Sequence, residues 1–494
     1  MTFSRFVGSR LARLGQLDAL GVPLNRRLLI GGALLSGFYA KTAKAGPPSS
    51  SVHWFVRRLT LGETEAELAT ANSLGYEGYL EHQLNYTAID DSAIDARIAS
   101  YSTLNMEPNV LRTFQPQNLI PNELIEATIL RSVFSQRQLY QRMVEFWTDH
   151  FNIDLNTGFT RFLKTVDDRE VIRPFALDTF PNLLMASAKS PAMLVYLDNI
   201  SSVAGNPNEN YARELMELHT LGVNGGYTQN DVVEVARCLT GWTLYPSNAG
   251  ANALKYRFDP AVHDTGSKTV LGQVIPAGGG ESDGLTVLNL LAYHPNTAAF
   301  ISWKICKWFH SETPPQSLVD AVTATYTSTG GDIKSMLRTL FLTADPMSSP
   351  QKYKRPYHHY VSAMRATNAT ISSTSGLRTQ LTAAGHLPFN WGPPDGYPDT
   401  LDQWVGLILP RWNFGASMAT GAVSGVTVDI TAFLAGASTA TAIVNRIDAA
   451  LFNNTMPAAQ KNRVSAFLSA GSLTTSRMRD AVGLAIGTPA FQWY

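Results

Sequence analysis

Helix-forming periodicity runs through the chain from Ser51 onward, and strand-like alternation is scarce. Apolar residues recur at three- and four-residue spacing between capping and breaking residues, the pattern of amphipathic helices that pack on a shared core. Two short segments, residues 255–258 and 268–271, alternate polar and apolar residues and predict strands. The predicted fold class is therefore mainly α, a compact multi-helix domain with a small β-hairpin-like insert near residues 255–272.

Chain length and net charge limit the number of domains and the class of ligand. A chain of 494 residues is long enough for one large domain or for two. We expect residues 46–494 to form one helical domain or two closely packed halves, with a boundary near residues 245–285. Lys plus Arg equals Asp plus Glu, at 39 each, which argues against the broad basic surface that binds nucleic acid.

The chain contains two cysteines, Cys238 and Cys306. This number excludes a disulfide-rich scaffold and a four-cysteine zinc site. Both residues lie in apolar helical segments, which favours two buried free thiols over a single disulfide.

The first 45 residues have the order of an export signal. Arg26-Arg27 precedes a short uncharged apolar run, residues 28–39, and Ala43-x-Ala45 then offers a cleavage site. The alternative is an uncleaved anchor or a buried helix, although the run is much shorter than the ~20 residues that span a membrane. The arginine pair indicates the twin-arginine route, which predicts a periplasmic or extracellular protein without a stable membrane span in the mature chain.

One predicted helix, residues 206–221, carries an unusual polar stripe. Asn206 is the expected N-cap, and Asn210, Arg213, Glu214 and Glu217 fall on one face at helical spacing. The spacing also allows an i,i+4 ion pair between Arg213 and Glu217. Two close carboxylates raise one pKa, so we predict that Glu214 and Glu217 are catalytic and that Asn210 and Arg213 bind ligand. The alternative is a salt-bridged helix face with no catalytic role.

Two histidines lie among apolar residues on separate helices. His219 is on the opposite side of the carboxylate helix, so it shares a ligand set with Glu214 and Glu217 only if that helix is distorted. His150 follows Trp147 on an apolar helix face. If the histidines meet, they predict a metal site, with Trp147 as a binding residue beside them. Two unrelated core histidines are the alternative.

Two loops supply further candidates. His263-Asp264 lies in a turn-rich segment and is predicted to contribute to catalysis, although Asp264 is equally suited to capping the turn. The segment 388–398 is rich in Pro, Gly and Trp, and it predicts an aromatic binding cleft formed by Trp391 and Asp395. A packed surface loop is the alternative.

Several of these segments together resemble the bacterial family named domain of unknown function 1800. The matching segments are residues 53–58, 146–151, 208–222, 226–229, 239–242, 263–268 and 395–398. Residues 353–358 depart from the more apolar helix start that is usual in this family. The resemblance implies a helical fold, export that often uses the twin-arginine route, and frequent occurrence beside a sulfatase-like exported partner. It implies no settled reaction.

Three functional hypotheses remain open from the sequence. The first is an extracytoplasmic hydrolase of a polymeric or glycosidic substrate such as a polysaccharide, because paired carboxylates can cleave glycosidic bonds. The second is a redox or hydrolytic protein holding a divalent metal, which an active protein without bound metal would contradict. The third is a non-catalytic envelope scaffold or export partner, which detectable substrate turnover would contradict.

Overall fold

The computed structural model describes residues 46–494, so the predicted signal segment lies outside the described residues. Helices follow one another along nearly the whole of this range, as the periodicity predicts. The first half contains α1 Ser51–Leu59, α2 Glu65–Leu84, α3 Ser92–Ile98, α4 Pro108–Thr113, α5 Leu119–Phe134, α6 Gln138–His150, α7 Thr160–Asp167, α8 Arg173–Phe175, α9 Phe180–Ala188, α10 Pro191–Tyr196, α11 Glu209–Glu214 and α12 Gln229–Cys238.

The second half continues in the same way. It contains α13 Glu281–Ala292, α14 Pro295–Phe309, α15 Gln316–Thr329, α16 Ile333–Thr343, α17 Pro356–Ala366, α18 Ser375–Ala383, α19 Leu401–Trp404, α20 Ile408–Thr420, α21 Ile430–Leu434, α22 Ala440–Phe452, α23 Ala458–Ser469 and α24 Thr475–Ile486. Two π-helical segments, Asp168–Ile172 and Leu215–Thr220, continue α7 and α11. In the described part of the chain, no helix is both long and apolar enough to span a membrane.

The predicted insert near residues 255–272 is present, and two short hairpins contribute to it. β1 Trp242–Leu244 pairs with β2 Tyr256–Phe258, and β3 Lys268–Val270 pairs with β4 Gln273–Ile275, both antiparallel. The two segments with alternating residues therefore belong to separate hairpins. A third short pair joins β5 Thr370–Ile371 to β6 Val426–Thr427.

The N-cap of the carboxylate helix is Asn208 and not Asn206. The Asn208 side chain accepts a hydrogen bond from the amide of Asn210, so the helix begins at Glu209. Asn206 instead forms a bridge with Val203, to which its amide donates at 3.0 Å. The chain is therefore still in a turn at Asn206, which delays the helix by two residues.

Buried apolar residues form two large groups. The first extends from Trp54 to Phe341 and includes the helices on both sides of residues 245–285. The second combines α17, α18 and α20 to α24 with residues of α3 and α5. Cys238 and Cys306 both belong to the first group as buried free thiols, as predicted.

Arg365 of α17 connects elements that pack on these two groups. Its guanidinium donates to the carbonyls of Gly62 at 2.7 Å and Val133 at 2.8 Å, and it pairs with Glu67 at 2.5 Å. The side chains of this ion pair are only 3% and 6% exposed. Solvent therefore screens this ion pair little.

We predict that Arg365→Met lowers the free energy of unfolding by about 3–5 kcal/mol, because it leaves the Glu67 carboxylate buried and unpaired. The control is Arg338→Met, which breaks the pair with Glu81, whose side chains are 38% and 53% exposed. That change should cost less than about 1 kcal/mol. Urea unfolding followed by circular dichroism measures both, and equal losses would contradict the prediction.

Candidate functional site

The helix that carries the predicted carboxylates changes its winding in the middle of the motif. The amide of Leu221 donates to the carbonyl of Met216 at 2.9 Å, five residues back, and the Thr220 hydroxyl donates to the carbonyl of Leu215 at 2.6 Å. Single π-helical turns of this kind are frequent at functional sites. This helix therefore has a distortion of the kind that would be needed for His219 to face the same site as Glu214 and Glu217.

The distortion does not bring His219 and the two carboxylates together. His219 is buried in the core, where its ring lies 5.0 Å from that of Phe151 and 6.0 Å from that of His150. Glu214 and Glu217 are half-buried on the outer side of the same helix. The helix thus separates an outer acidic surface, formed by Glu214 and Glu217, from an inner pair of histidines, His150 and His219.

The surroundings of Glu214 raise its pKa. Burial raises the pKa of Glu214, and the negative charges of Glu217 and Asp395 raise it further, while Arg213 opposes them. Glu214 is therefore a carboxyl group that keeps its proton to higher pH than an ordinary glutamate. The Tyr227 hydroxyl donates to Glu217 at 3.2 Å.

Arg213 binds Glu209 and Gln229 and does not form the predicted pair with Glu217. Arg213 lies 3.1 Å from Glu209 and donates to Gln229 at 2.9 Å, instead of pairing with Glu217. Glu209 is one turn earlier on the same face, where Gln229 also reaches it. Asn210 is exposed in the first turn of the helix. Both predicted binding residues thus lie at the outer edge of the acidic surface.

The loop of residues 388–398 is fixed beside this surface by buried polar groups. The Asn152 amide donates to two loop carbonyls at 2.9 and 2.7 Å, and the Tyr196 hydroxyl donates to a third at 2.6 Å. Within the loop, the indole N–H of Trp391 donates to Asp395 at 2.9 Å. The half-exposed indole and the exposed carboxylate therefore form one unit next to Glu214.

Gly396 allows this loop to approach the end of α6. Its φ of +75° favours glycine, and a Cβ atom there would lie 2.1 Å from the carbonyl oxygen of Asp149. The Asp-Gly pair that the sequence marks as a turn is thus also a point of close backbone contact.

Beneath the acidic surface, Lys304 of α14 connects to the histidine pair. Lys304 Nζ donates to His150 Nδ1 at 2.8 Å, and His150 Nε2 then donates to the backbone carbonyl of His219 at 3.1 Å. Burial lowers the pKa of Lys304 to about 8, partly offset by the charges of Asp149 and Asp395. Burial and Lys304 lower the pKa of both histidines, that of His219 to about 3, so both are neutral.

A largely buried ion cluster acts on Lys304 through the charge of Asp149. Arg355 pairs with Asp149 at 2.5 Å and also with Glu145. Burial raises the pKa of Asp149 to about 6 even though Arg355 opposes it, because Glu145 adds a second negative charge. Asp149 therefore titrates nearer neutrality than an ordinary aspartate.

The predicted metal pair is close in space but poorly disposed for coordination. His150 uses one ring nitrogen for Lys304 and the other for a backbone carbonyl. Within residues 46–494, no group of 3 or more His, Cys, Asp or Glu side chains is arranged to hold a metal ion. Trp147, predicted to bind ligand beside them, is fully buried, and its indole N–H donates to Ala176. It therefore supports the core and presents no ring face to solvent.

His263 and Asp264 form a second cluster at the insert. His263 lies 2.8 Å from the Thr240 carbonyl through Nδ1 and 3.2 Å from Asp283 through Nε2. Asp264 accepts two hydrogen bonds from Arg237 and one from the amide of Gly266, and these contacts lower its pKa to about 2. These hydrogen bonds attach the insert to α12 and α13, and they connect neither residue to Glu214.

Four contributors to the site were absent from the sequence predictions: Lys304, Asn152, Tyr196 and Tyr227. Tyr227 lies in a segment shared with the family motifs, which was a usable signal. Lys304 carries no such signal, because only the fold brings it to His150.

Comparison with known proteins gives one match. A search of curated proteins and a search of solved structures each find no match to this chain. The family model described as protein of unknown function (DUF1800) matches residues 54–493, which include both core groups and all the site residues described above. The chain therefore belongs to the DUF1800 family.

Proposed function

We propose that this protein is an extracytoplasmic hydrolase that cleaves a glycosidic bond in a polymer, using Glu214 and Glu217. The observation that carries the proposal is the raised pKa of Glu214 beside the hydrogen-bonded carboxylate of Glu217. Glycosidases need two carboxyl groups whose environments separate their pKa values. We assign proton donation to Glu214 and activation of water, or direct attack, to Glu217.

The surroundings of the pair favour a sugar polymer over a small apolar substrate. Trp391 is half-exposed at the edge of the acidic surface, where an indole face can pack against a sugar ring. Asn210 and Arg213 lie further along the helix and can hydrogen-bond to hydroxyl groups.

Lys304 and His150, which lie beneath the two glutamates, support this chemistry. Lys304 places a positive charge near Asp395, so the negative charge in the site is partly balanced. Its pKa of about 8 keeps most of that charge at neutral pH. The Lys304–His150 hydrogen bond holds the ammonium group in position under the acidic surface.

We predict that Glu214→Gln and Glu217→Gln each reduce turnover by about 10²–10⁴-fold, the usual contribution of a general acid or base. Release of reducing ends from a panel of soluble polysaccharides identifies the substrate and measures the loss. The control is Glu81→Gln, an exposed carboxylate that pairs with Arg338. Full activity in either active-site variant would contradict the assignment.

The pH profile provides a separate readout of the same prediction. Activity should fall at alkaline pH as Glu214 loses its proton. Asp395→Asn removes a negative charge that raises the pKa of Glu214, so the alkaline limb should move to lower pH. A shift to higher pH, or no shift, would contradict the role of Glu214 as the acid.

The location is proposed from the N-terminal segment. Export through the twin-arginine route predicts that the periplasmic product begins at Gly46, which intact-mass measurement can establish. Replacing Arg26 and Arg27 together with lysine should leave the precursor in the cytoplasm. Unchanged export of that variant would contradict this route, without affecting the proposed chemistry.

A further inference from the structure

The outward face of α14 carries two aromatic rings that reach solvent and that the proposed function does not use. Trp303 is 37% exposed, and Phe300, one turn earlier, is half-buried. The two rings are nearly parallel, with centroids 6.3 Å apart and an interplanar angle of 18°. The opposite face of α14 is buried in the first group of core residues. The packing of the helix therefore turns this aromatic pair towards solvent.

The N-terminal half of α14 lies against the end of the carboxylate helix. Phe300 packs on Gly222, just after the π-helical segment, where a Cβ atom would lie 3.0 Å from Cδ2 of the phenyl ring. The Asn296 amide donates to the carbonyl of Gly225 at 2.8 Å, in the turn that leads to Tyr227. Tyr227 is the residue that donates to one of the two proposed catalytic carboxylates. The aromatic pair therefore begins where the carboxylate helix ends.

Further along, α14 approaches the loop of residues 388–398. Lys304 lies within electrostatic reach of Asp395 in that loop. Lys307, one turn later, lies within electrostatic reach of Asp399, just beyond the loop. The outward face of α14 is thus next to both the helix that carries the acidic surface and the loop beside it.

Lys307 adds a positive charge to the aromatic pair. Its Nζ lies 5.2 Å from the centre of the Trp303 ring, and the residue is half-buried. In the described chain Lys307 forms no ion pair with a carboxylate, and Asp399 is itself bound by Lys352 at 2.7 Å. Three other lysines that reach solvent each pair with a carboxylate, at 2.9, 2.6 and 2.8 Å: Lys189, Lys255 and Lys461.

A solvent-reaching indole beside an ammonium group suits one chemical class of ligand. Sugar rings have faces of C–H groups that pack on aromatic rings. A carboxylate accepts charge-assisted hydrogen bonds from a lysine. A uronic acid combines the two features in one unit, whereas a neutral sugar would leave Lys307 without a partner and a simple carboxylate would leave Trp303 uncovered.

We propose that Phe300, Trp303 and Lys307 form a substrate subsite that binds a uronic acid unit of an acidic polysaccharide. The inference rests on the proposed function, because it assigns the class of polymer that reaches Glu214 and Glu217. The uronate carboxylate binds Lys307, and its sugar ring packs on Trp303. The subsite lies beside the acidic surface and not on it, where the charge of a uronate would be repelled.

The test measures binding by isothermal titration calorimetry to mature protein that carries Glu217→Gln, in which the polymer should not be cleaved. The probes are polygalacturonate, alginate and hyaluronan, each beside its carboxyl-reduced form, which keeps the backbone without the charge. We expect at least one charged polymer to bind, at least about threefold tighter than its reduced form. Salt at about 0.5 M should remove most of this difference, because it screens an exposed ion pair.

Variants of the subsite identify the residues responsible. Trp303→Ala should weaken binding of the charged polymer by about tenfold. Lys307→Gln should weaken it by about threefold and abolish the preference over the reduced form. The controls are Tyr245→Ala in the insert, where the tyrosine is also 37% exposed, and Lys334→Gln, where the lysine Nζ lies 5.6 Å from the centre of the Tyr86 ring. Neither control should change binding, and circular dichroism verifies that every variant is folded.

The outcomes separate this inference from the proposed function. Binding of a uronate polymer that depends on Trp303 and Lys307, without hydrolysis by the wild-type protein, would support the subsite and contradict the hydrolase. Hydrolysis that is lost in Glu214→Gln but keeps its KM in Trp303→Ala would overturn the subsite and leave the hydrolase standing. Equal binding of charged and reduced polymers, or no binding of any charged polymer, would also overturn the subsite.

Discussion

The arrangement of the acidic surface depends on the hydrogen bonds that hold the loop of residues 388–398 against the core. Asn152 and Tyr196, both buried, satisfy three loop carbonyls. These bonds place Asp395 near Glu214 and leave Trp391 half-exposed beside it. Loss of these bonds would loosen residues 391–393 and weaken the electrostatic coupling of Glu214 to Asp395.

The helix that carries Glu214 and Glu217 also separates a charged surface from an apolar interior. The outer side carries Glu214 and Glu217, whereas the inner side carries His219 in an apolar environment. Lys304 lies between these environments and is hydrogen-bonded to neutral His150. The His150 ring therefore connects Lys304 to the backbone of the carboxylate helix, while the carboxylates carry the proposed acid–base chemistry.

Local sequence patterns predicted much of the fold. Helical periodicity predicted the helices because it reflects burial on one face, and the apolar context of Cys238 and Cys306 predicted two buried thiols. The pairing of the strands could not be predicted, because short alternating segments do not specify their partners. The cap at Asn208 was missed because Asn206 offers the same capping chemistry two residues earlier.

The candidate site was predictable where its residues share one helix. Glu214 and Glu217 are neighbours at helical spacing, so their coupling follows from local geometry. Trp391 and Asp395 were predicted to lie in one binding loop. Their proximity to Glu214 depends on contacts between residues about 180 positions apart, which helical periodicity does not encode. The π-helical winding at Leu215 has no local signature in this chain, and the role of Lys304 arises only from packing.

The central claim is that Glu214 retains its proton above the ordinary glutamate range because of burial and its two acidic neighbours. The most direct measurement is ¹³C NMR titration of protein labelled at glutamate carboxyl carbons, with the Glu214 signal assigned by its loss in Glu214→Gln. We predict a titration midpoint above the ordinary value of 4.5, which falls in Asp395→Asn. A midpoint at or below 4.5, unchanged by Asp395→Asn, would contradict the account.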